Sequence, residues 1–282
     1  MIGTLAVVGV GLLGGSVAKA ARAGALARDI VGIGRDRARL EAALSDRAVD
    51  RVTVDLEEGV RDADFVVLGV PVLAMEALLP RVWRAAPDGA TLTDVGSTKA
   101  GIVRAAERLA AERSLAFLGS HPMAGSEQSG YGVARADLFR GATVILTPTD
   151  HSEPRTVKTV AAFWEAMGAR VSTLDPETHD RVMAAISHLP HLVAYALAET
   201  VARFQPEALA FAARGFKDTT RIAASEPAVW TEIFLANREA LRANLEAFRQ
   251  VLADLERAIT LGSRETLHAA LARIRAAREG LR

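Results

Sequence analysis

Residues 5–16 read LAVVGVGLLGGS. An apolar, β-branched run from Leu5 to Val8 meets Gly9, Gly11 and Gly14 in GxGxxG spacing, and a helix-forming run from about Leu12 to Ala25 follows. The first glycine permits a tight turn. The second lets backbone approach a pyrophosphate with no Cβ in the way, and the third lets the helix pack closely on the strand. Free N–H groups and the positive end of the helix dipole then face the phosphates. Glycine turns also serve packing alone, but this one sits between a strand and a helix, the setting of dinucleotide binding. Candidate cofactor contacts are Gly9, Gly11, Leu12, Leu13 and Gly14, with Val70 and Pro71 at the end of a later apolar run, FVVLGVP.

Outward from this turn the same grammar repeats. DIVGIG, FVVLGV, ATLTDVG, LAFLGS, ATVILTP and ARVSTL alternate with helical segments near 37–44, 99–112 and 154–167. Near-continuous apolar strands suit a sheet covered on both faces and mostly parallel, so the spacing predicts an α/β, Rossmann-type, doubly wound domain over 1–174. After Leu174 the strand runs stop. Residues 175–282 read as helices, with long segments near 176–204, 227–259 and 264–278, and predict an all-α domain. Ile233, Leu235, Leu241, Leu245, Phe248, Val251, Leu252 and Leu255 suit a homodimer interface or an ordinary core equally well.

The 282 residues are 50% hydrophobic and 24% charged, enough apolar content for two packed domains. The 34 basic and 34 acidic side chains cancel, which argues against nucleic acid or an anionic membrane as partner. No cysteine is present, excluding disulfides, thiol nucleophiles and Cys-ligated zinc. Residues 2–17 are apolar but lack a basic start and are crowded with glycine, a poor export signal, and no run reaches about 18 uninterrupted apolar residues. The expectation is a cytoplasmic protein.

The ribose site is read about 20 residues after the glycine turn, where an Asp or Glu would accept from an NAD 2′-hydroxyl. Here the strand ends VGIGRD, with Gly34 at the acid's place and Arg35 next to it. A guanidinium there suits a 2′-phosphate, so NADP is expected over NAD; the alternative is that Asp36 takes the acid's role and Arg35 faces solvent.

Two further segments lie at strand ends, where open α/β sheets place ligands: DVGSTK, with Asp94, Ser97 and Lys99, and GSHPMAGSEQSG, with His121, Ser126 and Glu127. His121, held extended before a proline, is the acid/base candidate, because imidazole accepts a proton near neutrality. The helical half adds ISHLPH, with His188 and His191, and GFKDTTRIAASEPAVW, with Lys217, Arg221 and Trp230. Arg221 fits a carboxylate, since its planar fork donates two parallel hydrogen bonds. The two histidines share a helical face if Pro190 does not break it, and without cysteine a zinc site is not expected.

GVGLLGGS, DVGSTK, GSHPMAGSEQSG, ISHLPH and GFKDTTRIA, in this order, resemble the prephenate and arogenate dehydrogenases of tyrosine biosynthesis. The resemblance spans nearly the whole chain and implies a Rossmann domain followed by a helical dimerisation domain. It implies that His121 is the catalytic histidine, Ser97 the hydroxyl that orients it, Arg221 the substrate carboxylate clamp and His191 a second substrate contact. Ser126, Glu127, Lys217 and Trp230 match positions that line the same pocket. The implied reaction is oxidative decarboxylation of prephenate to 4-hydroxyphenylpyruvate with hydride transfer to NADP or NAD. Arogenate is the alternative substrate: Glu127 would suit its ammonium, whereas His191 matches the prephenate-type arrangement. Neither a fused chorismate mutase nor an ACT domain is expected in a chain of this length, so tyrosine feedback, if present, is expected at or near the active site. Rival readings of the same architecture are a β-hydroxyacid dehydrogenase, an imine reductase and a nucleotide-sensing regulatory protein without turnover; the HPMAG loop argues against the first two.

Overall fold

The computed structural model describes residues 1–125 and 128–281. In chain order the elements are β1 (Ile2–Val8), α1 (Leu12–Ala23), β2 (Ala27–Ile33), α2 (Arg37–Ser45), β3 (Arg51–Thr53), α3 (Leu56–Val60), β4 (Phe65–Leu68), α4 (Val72–Ala85), β5 (Thr91–Asp94), α5 (Ala100–Ala110), β6 (Ala116–Pro122), β7 (Thr143–Thr147), α6 (Pro154–Ala166) and β8 (Arg170–Thr173). Helices alone follow: α7 (Pro176–Met183), α8 (Leu189–Phe204), α9 (Arg214–Thr220), α10 (Pro227–Ala236), α11 (Arg238–Thr260) and α12 (Arg264–Glu279).

The eight strands form one sheet in the order β3-β2-β1-β4-β5-β6-β7-β8. Its first six strands have the dinucleotide-binding order, whose direction reverses between β1 and β4. All pairs are parallel except β6 with β7. A parallel return needs a crossover, usually a helix. Between β6 and β7 the described residues offer only the short 3₁₀ turn Tyr131–Val133, so the chain comes back antiparallel. The strand runs read from the sequence are all present. Three elements were not foreseen: β3 and α3 are too short to show a period, and α4 begins directly after Pro71 and tolerates Pro80 within it.

The core runs along the sheet. Leu5, Ala6, Val7, Val66, Val67, Leu68, Leu92 and Leu146 have no exposed surface, and Phe65, Phe139, Phe163 and Trp164 form an aromatic cluster beneath it. Residues 1–237 form one compact unit and residues 238–282 a second. The first unit takes in α7 to α10, of which α7 and α10 are bonded to the sheet half: the Asp180 carboxylate accepts from the N–H groups of Lys99 and Ala100 at 2.8 and 3.0 Å, and Glu232 Oε2 accepts from the N–H of Leu73 at the start of α4 at 3.0 Å. The second unit is the helical hairpin α11–α12. Of the apolar positions weighed for an interface, Ile233 and Leu241 are buried, whereas Leu235, Val251 and Leu252 are exposed.

The continuous helical run Pro176–Phe204 is long and apolar enough to cross a membrane by length and composition alone. It also carries His179, Asp180 and His188 buried within the first unit. Those polar groups belong to the site described next.

Candidate active site

The glycine turn has the geometry its spacing predicts. Gly9 closes β1 at φ +94°, and a Cβ there would lie 2.7 Å from the Gly69 backbone. A Cβ at Gly14 would sit 2.0 Å from the Gly9 carbonyl oxygen, so only glycine allows α1 to start this close to the strand. At Gly11 a Cβ would meet nothing within 4 Å. The open space lies at the amino end of α1, whose first turn carries no acidic residue. This cradle fits a dinucleotide pyrophosphate.

Gly11, Leu12 and Leu13 line a cleft of about 670 Å³ together with Val70 and Pro71 from the β4–α4 loop, Ser97 from the β5–α5 loop and His121 from the end of β6. Its opposite wall is helical: Ser187, His191, Arg221, Glu226 and Trp230 line the same space. His121 of the sheet half and Arg221 of the helical half therefore line one cavity, at the carboxyl edge of the strands. Gly9 and Gly14 lie behind it and shape the turn.

His121 is 9% exposed. Its Nδ1 is 2.9 Å from Nε2 of His179, whose own Nδ1 is 2.8 Å from Oδ1 of Asp180. Burial, reinforced by His179, Lys99 and His188, pushes the His121 imidazole well below its ordinary value, so it is neutral at pH 7. Burial opposes ionisation of Asp180, but hydrogen bonds from His179 and from the Lys99 and Ala100 N–H groups outweigh it and hold the carboxyl below the usual range. Behind this array Lys99 and Asp94, both without exposed surface, form a direct ion pair. Lys99 Nζ also donates to the Ser120 carbonyl at 2.9 Å, and Asp94 accepts from the N–H groups of Gly96 and Ser120 at 2.8 and 3.1 Å. The pair thus ties the end of β5 to the strand that presents His121.

His188 and His191 diverge. A π-type turn at Ala184–His188 leads into α8, and Pro190 follows it within the continuous helical run, where it has no N–H to extend the i→i−4 ladder. His188 is buried, with Nδ1 at 3.2 Å from Asn237 Nδ2, and desolvation pushes it down to about 4. His191 faces the cleft, stacked on Trp230 with ring centroids 3.4 Å apart, and its Nδ1 donates to the Ser187 carbonyl at 3.0 Å.

Some expected residues fall elsewhere. Ser97 lines the cleft, but among the described residues no hydrogen bond links it to His121; the bonded partner of that ring is His179. Lys217 is exposed on α9 and is absent from the cleft lining, because α9 is a short helix that turns this side chain outward. Arg35 is exposed beyond the end of β2, outside the cleft lining, while the Asp36 carboxylate caps α2 by accepting from the Ala38 N–H at 3.0 Å. Ser126 and Glu127 lie outside the described residues. His179 and Asp180 were not foreseen. Their signal is faint: a His–Asp dipeptide one turn into a helix, in PETHDRVM, reads as solvated surface until its burial is known.

A phosphate cradle, a neutral buried imidazole and a guanidinium around one cleft suit hydride transfer beside a proton acceptor, the work of a nicotinamide-dependent dehydrogenase. Two family models carry the identification further. Residues 17–173 match the prephenate dehydrogenase nucleotide-binding domain and residues 175–273 the prephenate dehydrogenase dimerization domain. The chain belongs to the prephenate dehydrogenase family. It is 36% identical over 262 residues to the cyclohexadienyl dehydrogenase of Zymomonas mobilis, covering 90% of this chain and 86% of that one. It is 34% identical over 266 residues to the prephenate dehydrogenase of Bacillus subtilis, covering 93% and 71%. The Aquifex aeolicus prephenate dehydrogenase, solved with hydroxyphenyl propionate and NAD+, superposes with a TM-score of 0.93 at 34% identity over 100% of this chain and 99% of that one.

Proposed function

We propose that this protein oxidatively decarboxylates prephenate to 4-hydroxyphenylpyruvate. The observation that carries the reading is the cleft itself, which gathers the nucleotide turn, His121 and Arg221 around one space. When bound, the nicotinamide supplies a hydride acceptor. His121 accepts the 4-hydroxyl proton as the hydride leaves the same carbon. Loss of carbon dioxide makes the ring aromatic, and His121 returns its proton to the phenolate oxygen, so proton and electrons balance. Arg221 holds a substrate carboxylate and orients the ring, leaving the departing carboxylate unclamped. Ser97, His191 and Trp230 shape the pocket around the ring. The protein is read as a cytoplasmic homodimer. Exposed Ile186, Phe204, Leu209 and Phe211 in the helical half supply apolar surface for a second copy.

Incubation with prephenate or with arogenate, each with NADP+ and with NAD+, following the absorbance of the reduced nicotinamide, tests the function. Appearance of reduced cofactor together with 4-hydroxyphenylpyruvate supports it; turnover of arogenate alone would replace the substrate, and no turnover of either would overturn the reading. Arg221→Ala is expected to raise the KM for prephenate by about 10–100-fold, the loss of a charge-assisted hydrogen bond, with a smaller effect on kcat. A fall in kcat with unchanged KM would remove Arg221 from substrate binding.

NADP is the proposed cofactor, with NAD the alternative. Gly34 places no carboxylate at the tip of β2, the Asp36 carboxylate is engaged as a helix cap and by Arg39 at 3.3 Å, and Arg35 stands exposed beside it. Arg35→Ala should raise the KM for NADP+ by about 10–100-fold and leave that for NAD+ unchanged. A clear NAD preference in the unaltered protein sinks the Arg35 assignment.

A further inference from the structure

The chain from Asp180 through His179 to His121 has a direction that its donors and acceptors dictate. Both oxygens of Asp180 accept backbone N–H groups at the start of α5, Oδ1 from Lys99 and Oδ2 from Ala100. A carboxylate so engaged offers His179 only an acceptor, so the bond at 2.8 Å requires the proton on His179 Nδ1. With Nδ1–H spent there, a neutral His179 presents the Nε2 lone pair to His121. The 2.9 Å bond then requires a proton on Nδ1 of His121. A neutral His121 has one ring proton, and Nε2 is left bare.

We infer that His179 and Asp180 act as positioning residues that fix His121 in the Nδ1–H tautomer, with Nε2 as the base that faces substrate. This rests on His121 being the proton acceptor of the proposed reaction. The site needs such a device. An imidazole carrying its proton on Nε2 would donate to the substrate hydroxyl and could not remove its proton. Nothing else described bonds to the His121 ring and selects between the two forms. The groups around it are His179 and Asp180 from α7, His188 from the turn before α8, and Lys99 with its Asp94 partner at the start of α5. His179 has no exposed surface and Asp180 only 6%, so water does not compete for these bonds. The backbone bonds at Asp180 also make the tautomer choice part of the fold, because the carboxylate that orients His179 is the one that seals α7 to α5.

The first test needs no turnover. Nitrogen-15 spectra of the histidine-labelled protein at neutral pH report the tautomer of each ring, and the His121→Asn variant assigns the signal. A protonated Nδ1 and bare Nε2 on His121 is the expected result. Protonation at Nε2, or a doubly protonated His179 donating to His121, overturns the inference. Absence of prephenate turnover with the expected tautomer would overturn the function and leave this arrangement standing. The second test is kinetic. Asp180→Asn can place an amide donor against His179, reversing the chain and moving the His121 proton to Nε2; kcat should fall by about 10²–10⁴-fold with KM little changed. His179→Phe should lower kcat at least about tenfold, whereas His179→Gln, which keeps an acceptor near the position of Nε2, should restore most of it. Urea unfolding of each variant identifies any that is lost to misfolding, in which case the spectrum of the unaltered protein decides. Equal kcat in His179→Phe and the unaltered protein would overturn the positioning role.

Discussion

Asparagine in place of His121 should lower kcat by about 10²–10⁴-fold and leave KM for substrate and cofactor nearly unchanged. The variant keeps a polar group of similar reach at the end of β6 but has no nitrogen that takes a proton near neutrality. In the proposed reaction substrate binding rests on Arg221 and the helical wall of the cleft, so it should survive the substitution. The pH profile carries the sign of the effect. The base works only when neutral, and burial with nearby His179, Lys99 and His188 lowers its proton affinity. Activity should therefore hold through neutral pH and fall only when the pH drops below the ordinary histidine value of about 6.5. In His121→Asn this acid limb should vanish. Near-normal turnover of the variant at every pH would mean that another group accepts the proton, and an acid limb above about 6.5 would contradict the burial of this ring.

Lys99→Met should destabilise the protein by about 3–5 kcal/mol, measured as the shift in urea unfolding free energy. Asp94 and Lys99 lie fully inside, and removing the ammonium leaves a carboxylate in the interior with only two backbone N–H partners. Such a loss is a large share of the total stability usual for a folded domain, about 5–15 kcal/mol. The Asp94→Asn/Lys99→Met double variant should lose less than Lys99→Met alone, because the buried charge disappears, although the asparagine oxygen can accept from only one of the Gly96 and Ser120 N–H groups. A Lys99→Met protein within about 1 kcal/mol of the unaltered one would show that the pair contributes little. The consequence extends to chemistry. Lys99 Nζ holds the Ser120 carbonyl next to His121, so the pair keeps the base in place as well as the strands.

The nucleotide half was readable because its signals are local. Gly9, Gly11 and Gly14 sit within one turn of chain, and the conformation each must adopt follows from the atoms that would collide with a Cβ. Strands buried on both faces announce themselves as unbroken apolar runs, which is why β1, β2, β4, β5, β6 and β7 could be located. His121 stood out because a histidine before proline at a strand end has few structural reasons to be there. Arg221 stood out because a guanidinium between apolar helical segments needs an anionic partner.

His179 and Asp180 were invisible for the opposite reason. Their role depends on α7 lying across the amino end of α5, a contact between residues about 80 positions apart that no local pattern encodes. The exposed placement of Lys217 is equally non-local, since a lysine on a short helix reads the same whether it faces a cleft or water. The chemistry of the chain, a dinucleotide turn with an imidazole and a guanidinium, is written in residue types and spacing, because backbone sterics and side-chain chemistry act over a few bonds. The direction of the hydrogen-bond chain that makes one imidazole nitrogen the base arises only where distant segments are buried together, because burial removes the water that would otherwise satisfy each group separately.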